Sequence, residues 1–232
     1  MFTSNNKKFL FAILGLVLFS STCRFFQREK PLVEKTDLPK QSAPFPTKEP
    51  DIFQTEIIVS TFFGQTRSEK KYFLAKKDGA TLYVFNYGEK DETAILEKAD
   101  GKSFVLKKGA KTFAPRGKKE GAAETGDLQH FLTTKWLNEK KTSKFEDLGA
   151  KNGLRKYRVT IDDNSGSEIF VFFDEKLKIP VKQEFYSATG GQKQLSYTVE
   201  LKNIKTEADA KLFEIPAGYR PADGSVEARD TP

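Results

Sequence analysis

The chain has 232 residues and a formal net charge of +7, and it is 38% hydrophobic and 31% charged. This length allows one sizeable domain, or at most two small ones, with a packed core and a highly charged surface. With 21 Phe and 7 Tyr but one Trp, the composition favours a β-rich core, because aromatic side chains fit pleated surfaces. The positive charge is compatible with anionic lipid or nucleic acid, but its simpler explanation is solubility.

The N-terminus has the pattern of an export signal. Lys7 and Lys8 precede an apolar run over residues 9–19, and small residues follow at 20–22. A charged region, a short apolar region and a small-residue cleavage zone are typical of a secretory signal. The apolar run is too short to cross a hydrocarbon core of about 30 Å comfortably. We therefore predict a signal peptide over residues 1–22, with an uncleaved membrane anchor as the alternative.

Cys23, where this signal ends, is the only cysteine of the chain. A solitary cysteine in an exported protein cannot form an internal disulfide. Its position resembles the lipobox of bacterial lipoproteins, although Ser20 and Thr22 differ from the residues that the lipobox prefers. The resemblance implies acylation of Cys23, for example with palmitate, and attachment to the outer membrane or the periplasmic face. Simple secretion is the alternative.

Residues 23–50 are predicted to be a disordered tether, because the segment is rich in proline and offers few apolar side chains to bury. Its prolines are Pro31, Pro39, Pro44, Pro46 and Pro50. A single folded domain is expected over residues 51–221, followed by a disordered tail over 222–232.

The folded part reads as a meander of short strands separated by turn signals. The predicted strands are 53–63, 72–75, 81–87, 94–97, 103–106, 111–114, 145–148, 156–161, 168–173 and two C-terminal strands. Asp78-Gly79 is a strong hairpin signal. Gly190-Gly191 predicts a second hairpin, whose later strand has Leu195, Tyr197, Val199 and Leu201 at alternate positions on one face.

Several of these strands are apolar on both faces. Leu82 and Val84 alternate with Tyr83 and Phe85, and residues 169–173 are apolar throughout. A sheet that is wet on one side does not need this pattern. The second face therefore has to be covered by a helix, another sheet layer or a bound apolar ligand.

A helix is predicted over residues 127–138, capped by Asp127. Its apolar stripe consists of Leu128, Phe131, Leu132 and Trp136 at three- and four-residue steps. Burying such side chains is worth about 1.5–3 kcal/mol each, so we expect the helix to lie over the sheet as a lid. The preceding Gly-, Lys- and Glu-rich loop over 116–126 would let it move.

Signals of catalysis and of cofactor binding are missing. His130 is the only histidine, so a transition-metal site lacks its usual ligands. No phosphate-binding loop and no nucleophile elbow is present. We predict a non-enzyme without catalytic, metal or cofactor sites. A basic run is either a patch facing anionic lipid or a partner, or a solvated edge protected by lysines. It comprises Lys102, Lys107, Lys108, Lys111, Arg116, Lys118 and Lys119.

The C-terminal part resembles a known family ending. A strand closing in Phe172-Phe173-Asp174 precedes Ile179-Pro180-Val181-Lys182, and the chain closes with Leu212-Phe213-Glu214-Ile215-Pro216-Ala217-Gly218-Tyr219. These residues resemble the superfamily of periplasmic lipoprotein carriers and outer-membrane lipoprotein-sorting proteins (LolA/LolB-like), over roughly residues 142–220. The resemblance implies a curved, half-open antiparallel barrel whose hydrophobic concave face is covered by short helices and holds acyl chains.

The predicted fold class is mainly β with few helices (α+β), a curved antiparallel half-open barrel of about eleven strands with a short helical lid. The predicted function is that of a monomeric, non-enzymatic bacterial envelope lipoprotein. It binds lipid or lipoprotein acyl chains, with a role in lipoprotein sorting and no nucleic-acid partner. The alternative is a membrane-anchored scaffolding or adhesion protein with a filled core. The candidate cavity residues are Phe53, Ile57, Tyr83, Phe85, Phe131, Trp136, Phe170, Phe172, Leu195 and Tyr197.

Overall fold

The computed structural model of the protein describes residues 42–117, 134, 136–139, 143–161, 167–189 and 192–222. The expected signal, Cys23, most of the expected tether and the helical stripe up to Leu132 lie outside these residues, as do the basic residues Lys118 and Lys119. Within the described ranges, no helix is long and apolar enough to cross a membrane.

The described strands form one curved, open sheet, which confirms the predicted class of a mainly β half-open barrel. The strands are β1 (Phe53–Phe63), β2 (Thr66–Lys77), β3 (Ala80–Phe85), β4 (Thr93–Glu97), β5 (Ser103–Lys107), β6 (Thr112–Pro115), β7 (Ser143–Lys151), β8 (Leu154–Ile161), β9 (Glu168–Asp174), β10 (Ile179–Thr189), β11 (Gln192–Lys205) and β12 (Arg220–Pro221). The helical pieces are α1 (Trp136–Glu139) and the 3₁₀ helix η1 (Ala210–Phe213).

The sheet order is β12-β6-β5-β4-β3-β2-β1-β11-β10-β9-β8-β7. Two antiparallel meanders, β1–β6 and β7–β11, are therefore joined side by side through the pair β1–β11. The last strand, β12, was not predicted, and it pairs with β6 in parallel. Arg220 N–H donates to the carbonyl of Lys111 at 3.0 Å, so the C-terminal segment returns to the far edge of the sheet.

The local turn signals determine several strand ends. Asp78 and Gly79 have φ of 49° and 81°, as the predicted hairpin between β2 and β3 requires. β3 ends at Phe85 and not at Tyr87, because Asn86 takes the left-handed conformation at φ 50°. The predicted Gly190-Gly191 turn lies outside the described residues.

The two faces of the sheet carry separate apolar clusters. The face that carries Tyr83 is called the front face, and the face that carries Leu82 and Val84 is called the back face. On the back face, Ala75, Leu96 and Leu106 pack with Leu82 and Val84. The segment around η1 covers this cluster with Leu212, Phe213, Ile215 and Tyr219. The second apolar face of β3 is thus covered by the closing segment of the chain.

The front face is covered in part by residues that were assigned to the tether. Phe45 is only 5% exposed, and its ring centroid lies 5.2 Å from that of Tyr157 and 6.3 Å from that of Phe173. Lys76 on β2 forms an ion pair with Glu49 at 3.0 Å. Residues 43–50, which precede the boundary predicted at Asp51, are here called the strap. The proline-rich composition of the predicted tether did not indicate that one aromatic side chain, that of Phe45, is buried against the sheet.

A bulge in β11 changes the predicted alternation of its apolar residues. Phe185 pairs with Tyr197, but Tyr186 pairs with Leu195, so Ser196 is the extra residue. The ring of Tyr186 contacts Phe170 edge-on, on the back face. Leu195 therefore lies on the back face, while Tyr197, Val199 and Leu201 share the front face.

Candidate functional site

The centre of the front face is an apolar cluster built from β1, β2, β3, β4 and β11. Its buried members are Phe53, Ile57, Leu74, Tyr83, Ile95 and Val199. Three of the predicted cavity residues, Phe53, Ile57 and Tyr83, are thus brought together and buried. Phe85 and Tyr197 lie at the margin of the same cluster and are half-buried. This set is called the central cluster.

A second front-face cluster lies on β8, β9 and the segments above them. Its buried members are Phe45, Trp136, Leu137, Tyr157, Val159, Ile169, Val171 and Phe173. Phe185 packs against both front-face clusters, because its ring contacts Trp136 at 5.7 Å and Tyr197 at 4.0 Å. The two clusters consequently form one continuous apolar surface. Phe185 was not predicted as a site residue, although it stands on the weak two-residue period of its strand.

Trp136 is held on the front face by one specific polar contact. The indole is 8% exposed, and its Nε1–H donates to Oε1 of Gln183 on β10 at 2.9 Å. Gln183 is itself buried, so this hydrogen bond satisfies two groups that would otherwise lose their solvation. Trp136 therefore lies over the sheet, as the expected lid requires. The remaining stripe of the expected helix, including Phe131, lies outside the described residues.

Three of the predicted cavity residues are not part of this surface. Phe170 and Phe172 lie on the back face together with Leu195, because alternation places Ile169, Val171 and Phe173 in front. The ammonium group of Lys156 lies 4.0 Å from the ring centroid of Phe170 and 5.0 Å from that of Phe172. Both sets of side chains on β9 are apolar, so the sequence pattern could not tell which set faces the cover.

Little space remains between the cover and the sheet. A cavity of ≈ 20 Å³ lies between the strap residues 46–50 and the front-face residues Phe53, Ile57, Leu74 and Leu201. A cavity of this size accommodates about one water molecule. The strap therefore packs closely on the front face at this place. A second, open groove of ≈ 360 Å³ lies at the β7–β8 hairpin beside Leu148, Leu154, Lys156 and Phe172.

Burial on the front face affects the pKa of Tyr197. Desolvation raises the pKa of Tyr197 to about 12, because the ionised form cannot be hydrated where the ring stacks on Phe185. Among the described residues no group of three His, Cys, Asp or Glu side chains is placed to hold a metal ion. The front face is thus suited to apolar contacts.

Three of the five described residues of the predicted basic run form ion pairs with nearby acids. Lys108 contacts Glu92 at 2.9 Å, and Arg116 contacts Glu97 at 3.5 Å. Lys102 contacts Asp100 at 3.5 Å. These ion pairs favour the interpretation of a solvated edge over that of a lipid-binding patch.

Comparisons with known proteins find similarity in structure alone. No protein-family model matches the chain, and no curated protein does. The crystal structure of MucB in complex with MucA(peri) aligns with a TM-score of 0.41 and 15% identity, covering 70% of this chain and 52% of MucB. The chain thus spans about half the length of that protein.

Two further solved structures also align with the chain. A LolA superfamily protein from Nitrosomonas europaea aligns with a TM-score of 0.31 and 14% identity, covering 78% of this chain and 94% of that one. A putative outer membrane lipoprotein-sorting protein domain from Vibrio parahaemolyticus aligns with a TM-score of 0.27 and 13% identity, covering 69% and 88%. The superfamily that the closing segment resembles is therefore found among the aligned structures, as predicted. At these TM-scores the likeness concerns the general fold, and function has to be inferred from the contacts of the sheet.

Proposed function

We propose that the protein is a non-enzymatic lipoprotein of the bacterial envelope that binds an acyl chain on the front face of its half-barrel. The observation that carries the proposal is the nature of the cover over that face. In the described residues it consists of the strap and the segment at Thr134 and α1, and not of a second layer of strands. The side chains of Phe45 and Trp136 pack on the covered surface, and an acyl chain could take their place.

The chemistry of the front face favours an apolar ligand without charge along its length. Ile57 and Val199 are at most 1% exposed, and the buried members of both front-face clusters are all hydrophobic. Burial of each methylene group contributes about 0.8 kcal/mol, so a long acyl chain gains more from such a surface than a small polar metabolite. Among the described residues, two polar side chains are buried on this face, and both are already hydrogen-bonded: Gln183 accepts from Trp136, and the Thr55 hydroxyl donates to the carbonyl of Lys202.

Beneath the strap, an acyl chain can enter only if the strap moves, because the cavity there holds about one water molecule. Two polar contacts of the strap stand out in the structure. Glu49 pairs with Lys76 at 3.0 Å, and the Thr134 hydroxyl donates to the carbonyl of Pro46 at 3.4 Å. Phe45 and a ligand would compete for the front face, so the apparent affinity would fall with the fraction of molecules in which the strap is closed.

Trp136 provides a direct test, because it is the only tryptophan and contacts Phe185 on the front face. Titration of the purified protein with a long-chain fatty acid should change its emission in a saturable way. The variant Leu148→Ser, at the opposite end of the β8 and β9 strands and outside the front face, is the matched control and should respond equally. Native mass spectrometry of protein extracted gently from its host should show the mass of a bound lipid.

The second candidate function is that of a scaffolding or adhesion protein with a filled core, and the small cavity favours it. This candidate would be supported if fatty acid did not change the emission of Trp136 at any concentration and if native mass spectrometry detected no bound lipid. The first proposal also includes acylation of Cys23, an envelope location, a monomeric state and a role in lipoprotein sorting.

A further inference from the structure

The β1–β2 hairpin extends beyond β3, its neighbour on one side, and loses its pairing with β11, its neighbour on the other side, before its tip. β1 pairs with β11 only as far as Thr61, which lies opposite Tyr197. β2 pairs with β3 only from Tyr72 onward. One further hydrogen bond, from Tyr87 N–H to the carbonyl of Lys71 at 2.9 Å, continues the contact with β2. At the tip of the hairpin, residues 62–67, the two strands pair only with each other, Phe62 opposite Arg67 and Phe63 opposite Thr66.

The tip exposes one aromatic side chain, that of Phe63, which packing does not require. Phe63 is 90% exposed, whereas the other exposed large hydrophobic residues, Ile52 and Leu148, are 43% and 40% exposed. Phe62 lies on the other face of the ribbon, with the guanidinium of Arg67 5.9 Å from its ring centroid. Gly64 at φ 58° accounts for the tight turn, but nothing in the turn calls for Phe at the adjoining position. The tip is thus apolar on both faces of the ribbon.

Positive charge follows the aromatic tip along β2. Arg67, Lys70 and Lys71 are exposed, and Glu69 is the one acid among these residues. Glu69 pairs with Arg67 at 2.8 Å, while no ion pair to Lys70 or Lys71 is formed within the described part of the chain. Lys70 lies opposite Val59, four residues from Phe63, which corresponds to about 13 Å along the strand.

We propose that this hairpin tip docks on the surface of an anionic lipid bilayer. Phe62 and Phe63 would enter the boundary between headgroups and acyl chains, and Lys70 and Lys71 would face the lipid phosphates. In a bilayer the anionic headgroups lie outside the apolar acyl chains. A hairpin with an apolar tip and cations behind it can contact both layers in that order. Lysines alone would be explained by protection of the open edge of β2, but that role does not require an exposed Phe63. The inference is independent of acyl-chain binding on the front face.

The depth of position 63 in a bilayer can be measured with the full chain carrying Phe63→Trp. The protein is reconstituted with vesicles that contain about one-third phosphatidylglycerol and lipids with brominated acyl chains. The emission of the unsubstituted chain, which comes from Trp136 alone, is subtracted. We expect a blue shift and quenching at position 63. Any N-terminal anchor holds every variant at the vesicle equally, so the signal reports the hairpin and not the anchor.

Leu148→Trp is the matched control, because Leu148 lies at the opposite end of the strands and is also exposed. It should remain unquenched. The double variant Lys70→Glu/Lys71→Glu, in the Phe63→Trp chain, should weaken the response at least tenfold, as should vesicles of neutral phosphatidylcholine. Equal quenching at positions 63 and 148, or water-like emission at 63, would overturn the proposal. A blue shift without vesicles that grows with protein concentration would overturn it in favour of a second copy.

Discussion

The ring of Phe185 stacks on the ring of Tyr197, with their centroids 4.0 Å apart and their planes inclined by 14°. The two residues are register partners on β10 and β11, immediately before the bulge at Ser196. Phe185 also contacts Trp136, so this stack joins the central cluster to the cluster on β8 and β9. Because the two front-face clusters meet at this stack, the packing of each cluster depends on it.

Truncation of Phe185 should therefore be costly. We expect Phe185→Ala to lower the free energy of unfolding by about 3–5 kcal/mol, since the change removes contacts with both clusters. Phe172→Ala on the half-buried back face is the matched control and should cost less. Urea-induced unfolding followed by circular dichroism measures both. Equal losses in the free energy of unfolding for the two variants would mean that the front-face stack contributes no more to stability than the back-face side chain does.

The strap should contribute to the stability of the domain. A chain that begins at Asp51 should melt at a lower temperature than one that begins at Ser42, because it lacks Phe45 and the Glu49–Lys76 ion pair. Loss of a buried Phe side chain by Phe45→Ala costs about 3 kcal/mol or more. Identical melting temperatures for the two truncated chains would contradict the packing described for the strap.

Removal of Phe45 should also change ligand binding if the front face binds an acyl chain. Phe45→Ala empties the place between Tyr157 and Phe173, so a fatty acid should bind more tightly than it does to the unsubstituted chain. Titration monitored through Trp136 measures the two affinities. Weaker binding by Phe45→Ala would show that the strap forms part of the site and does not compete with the ligand.

Stability should fall at alkaline pH through Tyr197. Its pKa in the folded protein is about 12, above the value of about 10 expected for the unfolded chain, so the unfolded state loses its proton first. The stabilising contribution is complete below about pH 10 and disappears as the pH rises towards about 12. Tyr197→Phe should flatten this part of the profile in urea unfolding experiments. An unchanged profile would assign the alkaline loss to other groups.

Membrane attachment through Cys23 is a prediction from its position at the end of the signal. Cys23→Ser should move the protein from the membrane fraction to the soluble fraction, because no acyl chain can then be attached. Cell fractionation and intact mass measure the outcome. A variant that stays in the membrane fraction with an unchanged mass would identify the uncleaved signal as the anchor.

The strands were predictable because their signal is local. Side chains of a strand alternate between two faces, so the run from Thr81 to Phe85 and the Asp78-Gly79 turn could be recognised without any partner. The pattern on β9 predicted that both faces are apolar, but not which face receives Phe170 and Phe172. That choice depends on the strap and α1, which lie over the side of Ile169 and Val171.

Local patterns in the amino-acid sequence were enough to predict a mainly β chain with apolar side chains on both faces of several strands. The pairing of β1 with the distant β11, the bulge at Ser196 that turns Leu195 to the back face, and the packing of Phe45 on the front face all depend on tertiary contacts. Alternation and turn propensity act between neighbours in the chain. Sheet order, bulges and the insertion of a single ring depend instead on surfaces that come together only when the whole domain folds.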